Sequence, residues 1–322
     1  MFNVFLPVAG VSINALLILG LGGLVGFLSG LFGVGGGFLL TPLLMMIGIP
    51  PAVAAASDSN QIVAASASGA LGHWRLGNVD MKMGLIILAG GITGGTIGVQ
   101  AVKVLRAMGN FDFAIKAVYV LVLGGVGSAM FIESLGALRR SKAGVVAPKD
   151  LPDARTGAAV APATSGVTRF FNRLPLQTEF ASSGLRTSML FPFGIGMTVG
   201  FLAAIMGVGG GFIMVPAMIY IIGMPTVMAI GTDLFQIVLT SANVTLQQAI
   251  TNHTVDITLA LLLLCGSTLG AQVGVRMTKR LKGEQIRILL AVIVLIVMVK
   301  LLFDLLVTPD NLIGYVTAKG GH

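Results

Sequence analysis

Gly26 to Pro42 reads GFLSGLFGVGGGFLLTP, and Gly200 to Pro216 reads GFLAAIMGVGGGFIMVP. The same glycine-interrupted apolar run occurs twice, and the likeness extends well beyond it. Gly48-Ile49-Pro50 matches Gly223-Met224-Pro225, Ser57-Asp58 matches Thr232-Asp233, and Gln61 matches Gln236. Val79-Asp80 matches Val255-Asp256, while Gly94, Gly98 and Lys103 match Gly270, Gly274 and Lys279. Shared apolar composition alone would not keep Gly, Pro, Asp and Gln in one order at a nearly constant offset. The chain is therefore an internal duplication.

Around these repeats the composition excludes an ordinary soluble domain. Of 322 residues, 55% are hydrophobic and 10% charged, against about a quarter charged in a typical soluble protein. Apolar segments fall at 14–31, 37–49, 51–72, 83–104 and 113–136, then at 187–206, 211–223, 226–249, 257–279 and 286–307. The longer ones suffice to cross a hydrocarbon core of about 30 Å as helices. They lack the alternation of a membrane β-barrel. The expected fold is an all-α polytopic membrane protein of two inverted repeats, each with about five helical segments and a glycine-broken helix. The first repeat covers 1–136, a polar central loop 137–185, the second repeat 186–307 and a tail 308–322. In the central stretch, Phe170, Phe171 and Leu174 suit a short surface helix.

The net charge of +8 does not point to nucleic acid, because the basic residues cluster at the ends of apolar segments rather than among aromatics. With the central loop cytoplasmic and five crossings per half, basic residues collect on the cytoplasmic side, as membrane topology favours. An odd number of crossings makes the repeats inverted, a design that puts a transporter's site at the repeat interface near the midplane. The one cysteine, Cys265, excludes an internal disulfide, and His73, His253 and His322 have no metal-ligand spacing. No cofactor or metal pattern is present, and no nucleophile–base–acid set suggests an enzyme.

Two groups of residues can carry chemistry. The glycines Gly33, Gly35, Gly36 and Gly37, and Gly207, Gly209, Gly210 and Gly211, interrupt helices and free backbone N–H groups inside the membrane. Those donors, at the positive end of the next helix, suit an anion; the same glycines also suit a tight turn between packed helices. Asp58 and Asp233 each follow a proline by eight residues, roughly 12 Å into a helix. A carboxylate at such depth is costly and is usually functional, as a proton carrier or an ion site; the alternative is capping of a broken helix. Ser57, Ser59, Gln61, Thr232 and Gln236 can bind substrate or bridge helices. Lys300 and Asp304 are spaced to pair along the last helix.

Gly30-Leu31-Phe32-Gly33-Val34-Gly35-Gly36-Gly37 with Pro42, and Gly207-Val208-Gly209-Gly210-Gly211 with Pro216, resemble the TauE/SafE sulfite exporter family. Ser68-Gly69-Ala70-Leu71-Gly72-His73, Gly77-Asn78-Val79-Asp80 and Gly231-Thr232-Asp233 add to the likeness. The resemblance implies a bacterial or archaeal inner-membrane permease for small sulfur-containing anions such as sulfite or sulfonates, generally exported. Many relatives have an uncharged residue where Asp58 and Asp233 stand. Protons are the expected coupling partner, and the oligomeric state is open. An ion channel, or a membrane subunit organising a partner through 137–185, are the competing functions.

Overall fold

The computed structural model describes residues 2–32, 37–142, 176–180, 182–278 and 283–306. Gly33, Gly35 and Gly36, and the expected surface helix at Phe170, Phe171 and Leu174, lie outside them. Each half begins with an antiparallel β-hairpin: β1 (Asn3–Leu6) with β2 (Val11–Asn14), and β3 (Gln177–Phe180) with β4 (Leu185–Ser188). The first half continues as α1 (Ala15–Phe32), α2 (Gly37–Met46), α3 (Pro51–Arg75), α4 (Met81–Ala107) and α5 (Phe111–Lys142). The second follows as α6 (Leu190–Met206), α7 (Gly211–Pro216), α8 (Thr226–Gln247), α9 (Ile257–Thr278) and α10 (Gly283–Leu306). A wider turn, Ala217–Ile222, extends α7, and a second, Gln248–Asn252, extends α8.

Sequence explains the boundaries. Pro50 and Pro225 precede α3 and α8 with the same dihedrals, φ −55° and ψ 135°. A proline beside a helix start gives up only an N–H that has no helical partner there. Gly48 at φ 91° and Gly223 at φ 85° turn the chain into these helices, a left-handed conformation that glycine adopts without steric cost. Pro216 ends the regular α-helical pattern of α7, and the wide turn starts at the next residue. An internal proline removes a backbone donor and disturbs the helix in this way.

Among the described residues, four helices are long and apolar enough to cross a membrane: Met81–Ala107, Phe111–Ala129, Val227–Asn252 and Ile257–Gly274. Shorter apolar helices cover Ala15–Ser29, Gly37–Met46 and Leu190–Met206. Leu85, Ile97, Leu121, Leu261, Leu269 and Ile296 turn outward, a face that suits lipid. Lys300 and Asp304 pair at 3.5 Å as their spacing predicts.

The halves exchange partners. α1 packs along α9, and its counterpart α6 packs along α4; α3 packs on α8 and α5 on α10, each with its own equivalent. Glycines make the first two contacts possible, because small residues let backbones approach in a membrane. A Cβ on Gly26 would strike the backbone of Ser267, and one on Gly270 that of Gly23. In the equivalent interface, a Cβ on Gly200 would strike Gly91 and one on Gly94 would strike Met197.

The hairpins also cross between halves. The Val8 N–H donates to Asp256 Oδ2 at 3.0 Å, and the Ser183 hydroxyl donates to Asp80 Oδ2 at 2.8 Å. Each aspartate uses its other oxygen at a helix start: Asp80 accepts from Met83 N–H at 3.0 Å, and Asp256 from Leu259 N–H at 3.1 Å. The repeated Asp80 and Asp256 thus cap α4 and α9 and hold the opposite half's hairpin. Four-residue strands are too short to show alternation, so neither hairpin was legible. The second crosses from the polar stretch 137–185 into the repeat that follows.

Candidate substrate site between the glycine breaks

The second break is fully described. α6 ends at Gly207, whose N–H donates to Ala203 O at 2.7 Å. Gly207, Gly209 and Gly210 take φ values of 77°, 70° and 89°. Such values strongly favour glycine, which explains why this segment is nearly all glycine. Gly211 then opens α7 and is buried. From the first break, Gly37 opens α2 and is also buried.

The segments that follow the two breaks meet. Phe38 and Phe212, the equivalent residues just after the breaks, stack with ring centroids 4.4 Å apart and planes 15° apart. A Cβ on Gly207 would run into the backbone carbonyl of Ala55 on α3. A Cβ on Gly37 would lie 3.2 Å from Val208 O and 3.3 Å from Asp58 Oδ2. The Ser59 hydroxyl donates to Ala55 O at 3.1 Å and lies 3.4 Å from Gly207 O. Gly37, Gly207 and Val208 therefore gather around the polar turn of α3 from Ser57 to Gln61.

That turn is withdrawn from the protein surface. Ser57 and Asp58 are 0% exposed, Ser59 2% and Gln61 4%. Asp58 Oδ2 accepts from the Thr41 hydroxyl of α2 at 2.8 Å, whereas Asp58 Oδ1, the Ser57 hydroxyl and Gln61 Oε1 have no hydrogen-bond partner. Gln61 Nε2 donates to Ser267 Oγ on α9 at 2.7 Å. The two ion pairs between described residues, Arg186–Glu179 and Lys300–Asp304, do not involve Asp58.

The equivalent turn of α8 is arranged differently. Asp233 Oδ1 accepts from Gln236 Nε2 at 2.9 Å, and Gln236 Oε1 accepts from Thr240 at 3.0 Å. The Thr232 hydroxyl accepts from Asp80 N–H at 3.0 Å. Hydrogen bonds of Thr232, Asp233 and Gln236 run to the start of α4 or stay within α8, while Asp58 bonds to α2 of its own half and Ser59 approaches Gly207 of the opposite break. Farther along, Gln247 donates to Thr96 at 2.8 Å and Gln248 to Ala204 O at 3.1 Å. These amides join helices, as polar residues in membrane bundles do.

Three residues at this centre escaped the sequence reading. Thr41 stands where the second half has Val215, so it was a visible polar exception within the repeat. Ser267 corresponds to Gly91 in the first half. Tyr119 is fully buried and donates to Met206 O at 2.5 Å, satisfying the last carbonyl before the second break. A tyrosine amid Ala117 to Leu123 was the available signal. Among the described residues, no group of three or more His, Cys, Asp or Glu could hold a metal.

Lipid-facing helices around a buried polar centre, with two broken hairpins meeting there, define a polytopic membrane transporter. The chain belongs to the sulfite exporter TauE/SafE family, whose model matches residues 18–301. It is 25% identical over 303 residues to the probable membrane transporter protein YunE of Bacillus subtilis, covering 91% of this chain and 98% of that one. A probable membrane transporter protein of Xylella fastidiosa is 27% identical over 280 residues, or 85% of this chain and 89% of its own. Sulfite exporter TauE/SafE family protein 1 of Arabidopsis thaliana is 34% identical over 100 residues, 31% of this chain and 22% of its own. No solved structure matches the chain.

Proposed function

We propose that this protein is a secondary transporter, working as an exporter, for small sulfur-containing anions such as sulfite or organosulfonates. The observation that carries it is the convergence of the two breaks on α3, with Phe38 stacked on Phe212 and Gly207 against Ala55. Backbone N–H groups released at breaks from opposite halves are the donors that an oxyanion needs. Gly33, Gly35, Gly36 and Gly37 supply one side, and Gly209, Gly210 and Gly211 the other, while Gly207, whose N–H is held by Ala203 O, lets that break approach α3. Ser57, Ser59, Gln61, Thr232 and Gln236 complete the polar lining. The sulfite exporter names within the family support this substrate class.

Relative motion of the halves alternates access. Antiparallel packing of the equivalent helices α3 and α8 supports inverted repeats: Gly69 meets Leu234, while Gly231 farther back on α8 meets His73 farther along on α3 and Asn78 just beyond its end. Lys82 Nζ donates to Glu179 O at 3.2 Å, beside the hairpin that follows the basic central stretch. This supports a cytoplasmic side for that end of α4, in a bacterial or archaeal inner membrane.

Asp58 and Asp233 act as proton carriers or gate elements. Two like unit charges about 5 Å apart repel by about 3 kcal/mol at an effective dielectric constant near 20. An anion beside ionised Asp58 therefore needs a compensating cation, which ties its movement to a gradient. The test is flux of labelled sulfite and of sulfonates in proteoliposomes of the full chain, with and without a pH gradient. Saturable anion flux with counterflow is expected. Absence of flux for every anion would sink the assignment, and unchanged pH-driven flux in Asp58→Asn and Asp233→Asn would sink the proton step alone.

A further inference from the structure

Asp-x-x-Gln occurs at the same place in both repeats, as Asp58 with Gln61 and Asp233 with Gln236, yet the two pairs are wired oppositely. In the second half the pair closes on itself. Gln236 turns its NH2 to Asp233 and its oxygen to Thr240. In the first half Ala65 stands where Thr240 does, and Ser267 on α9 stands where the other half has Gly91 on α4. Gln61 accordingly turns its NH2 to Ser267 Oγ. The Ser267 hydroxyl donates its only hydrogen to Leu264 O at 3.2 Å, so toward Gln61 it can only accept. With the amide nitrogen on Ser267 in this arrangement, Gln61 Oε1 is left without a donor.

The result is three open oxygens on one turn: Ser57 Oγ, Asp58 Oδ1 and Gln61 Oε1. Spacings of three and four residues put Ser57 and Asp58 on the same side of α3 as Gln61. Buried polar atoms are nearly always satisfied, and an orphaned cluster calls for an unseen partner. The Ser57 hydroxyl bonds to neither Asp58 Oδ1 nor Gln61 Oε1, so a proton added to Asp58 does not by itself join the three. A cation with several oxygen ligands satisfies all three. Ligands of this kind, carboxylate, amide oxygen and hydroxyl, suit a hard ion. One carboxylate neutralises one positive charge, which favours a monovalent ion over a divalent one. Carbonyls of unwound helix segments serve coupling ions in broken-helix transporters, and Val208 O of the opposite break and Asp58 Oδ2 both lie beside Gly37, together with the Ile62 side chain.

We propose that Ser57, Asp58 and Gln61, with the Val208 carbonyl, form a Na+ site present in the first half only. Bound Na+, in place of a proton there, neutralises Asp58 and lets the anion settle between the breaks, so that the two move together. The site rests on the transporter assignment for its role in flux, but not for its existence. Asp233, whose Oδ1 is held by Gln236, is left as a gate element.

The test uses the full chain in lipid nanodiscs, without any substrate anion. Thermal unfolding is followed against NaCl at constant ionic strength, with choline chloride as the balance and KCl as the comparison. A ligand that binds only the folded state raises the melting temperature in a saturable way. Such a rise, specific to Na+, is expected for the natural chain and for Asp233→Asn. It should vanish in Asp58→Asn. In Ser57→Ala, which breaks no hydrogen bond between described residues, half-saturation should need several-fold more Na+. A rise equal for Na+, K+ and choline, no rise at all, or equal loss in Asp58→Asn and Asp233→Asn would overturn the site. Proteoliposome flux separates this from the substrate assignment. Na+-specific stabilisation without movement of any tested anion keeps the site and rejects the substrate class. Anion flux driven by protons and indifferent to Na+ keeps the substrate class and rejects the site.

Discussion

Replacing Gly207 with alanine probes the contact on which the meeting of the breaks depends. Two costs add. At φ 77° an L-residue occupies the left-handed region, at about 1–2 kcal/mol. The new Cβ would also run into the carbonyl and Cα of Ala55. Those are backbone atoms of a packed helix and cannot swing aside as a side chain would, so an overpacking cost of about 1–3 kcal/mol follows. The expected loss of stability is about 2–5 kcal/mol. Gly109 is the control: its φ is 73°, but a Cβ there would meet nothing within 4 Å. Gly109→Ala should therefore lose only the backbone part, about 1–2 kcal/mol. Reversible unfolding in mixed detergent micelles measures both, and anion flux in proteoliposomes measures the consequence. Gly207→Ala should also lose most flux, because displaced Ala55 carries Ser57, Asp58 and Ser59 with it. Equal stability loss in the two variants, or natural flux in Gly207→Ala, would refute the close approach of the second break to α3.

Gly94→Ala should push α4 from α6 and lower stability by about 1–3 kcal/mol or more, since its Cβ would strike the Met197 backbone; detergent unfolding checks it. Asp80→Ala should cost about 1–3 kcal/mol, because it removes the cap on α4 and the acceptor of Ser183. Faster proteolysis near β3 and β4 would report the released hairpin. Tyr119→Phe should cost about 1–3 kcal/mol by leaving the buried Met206 carbonyl without its donor. Fluorescence of Trp74, the single tryptophan, can follow the unfolding.

Much of the centre was legible because the duplication marks it. A residue type kept in both copies at one offset, such as Asp58 with Asp233, stands out from apolar background without any structure. Repetition does not by itself say what a residue does. Asp80 and Asp256 match as well as Asp58 and Asp233 do, yet they cap helices and hold hairpins. Thr232 pairs with Ser57 in sequence, but its hydroxyl serves the Asp80 backbone. Hydrogen bonds between α3 and α9, or between α8 and α4, join residues more than 150 positions apart, such as Gln61 with Ser267 and Asp80 with Thr232, and no local pattern announces them.

Sequence alone determined that this protein lies in a membrane, that it is two copies of one helical unit, and that each copy is broken by glycine near a buried aspartate. Composition, hydropathy and repetition are local or additive properties, so the chain carries them whatever its final packing. Tertiary structure decided which half each element touches. It brought the second break onto α3, crossed the hairpins between halves, and closed one Asp-x-x-Gln pair while leaving the other open. The reason is physical: a buried amide or carboxylate takes whatever partner the neighbouring helix presents, and here Ser267 faces Gln61 where Gly91 faces Gln236.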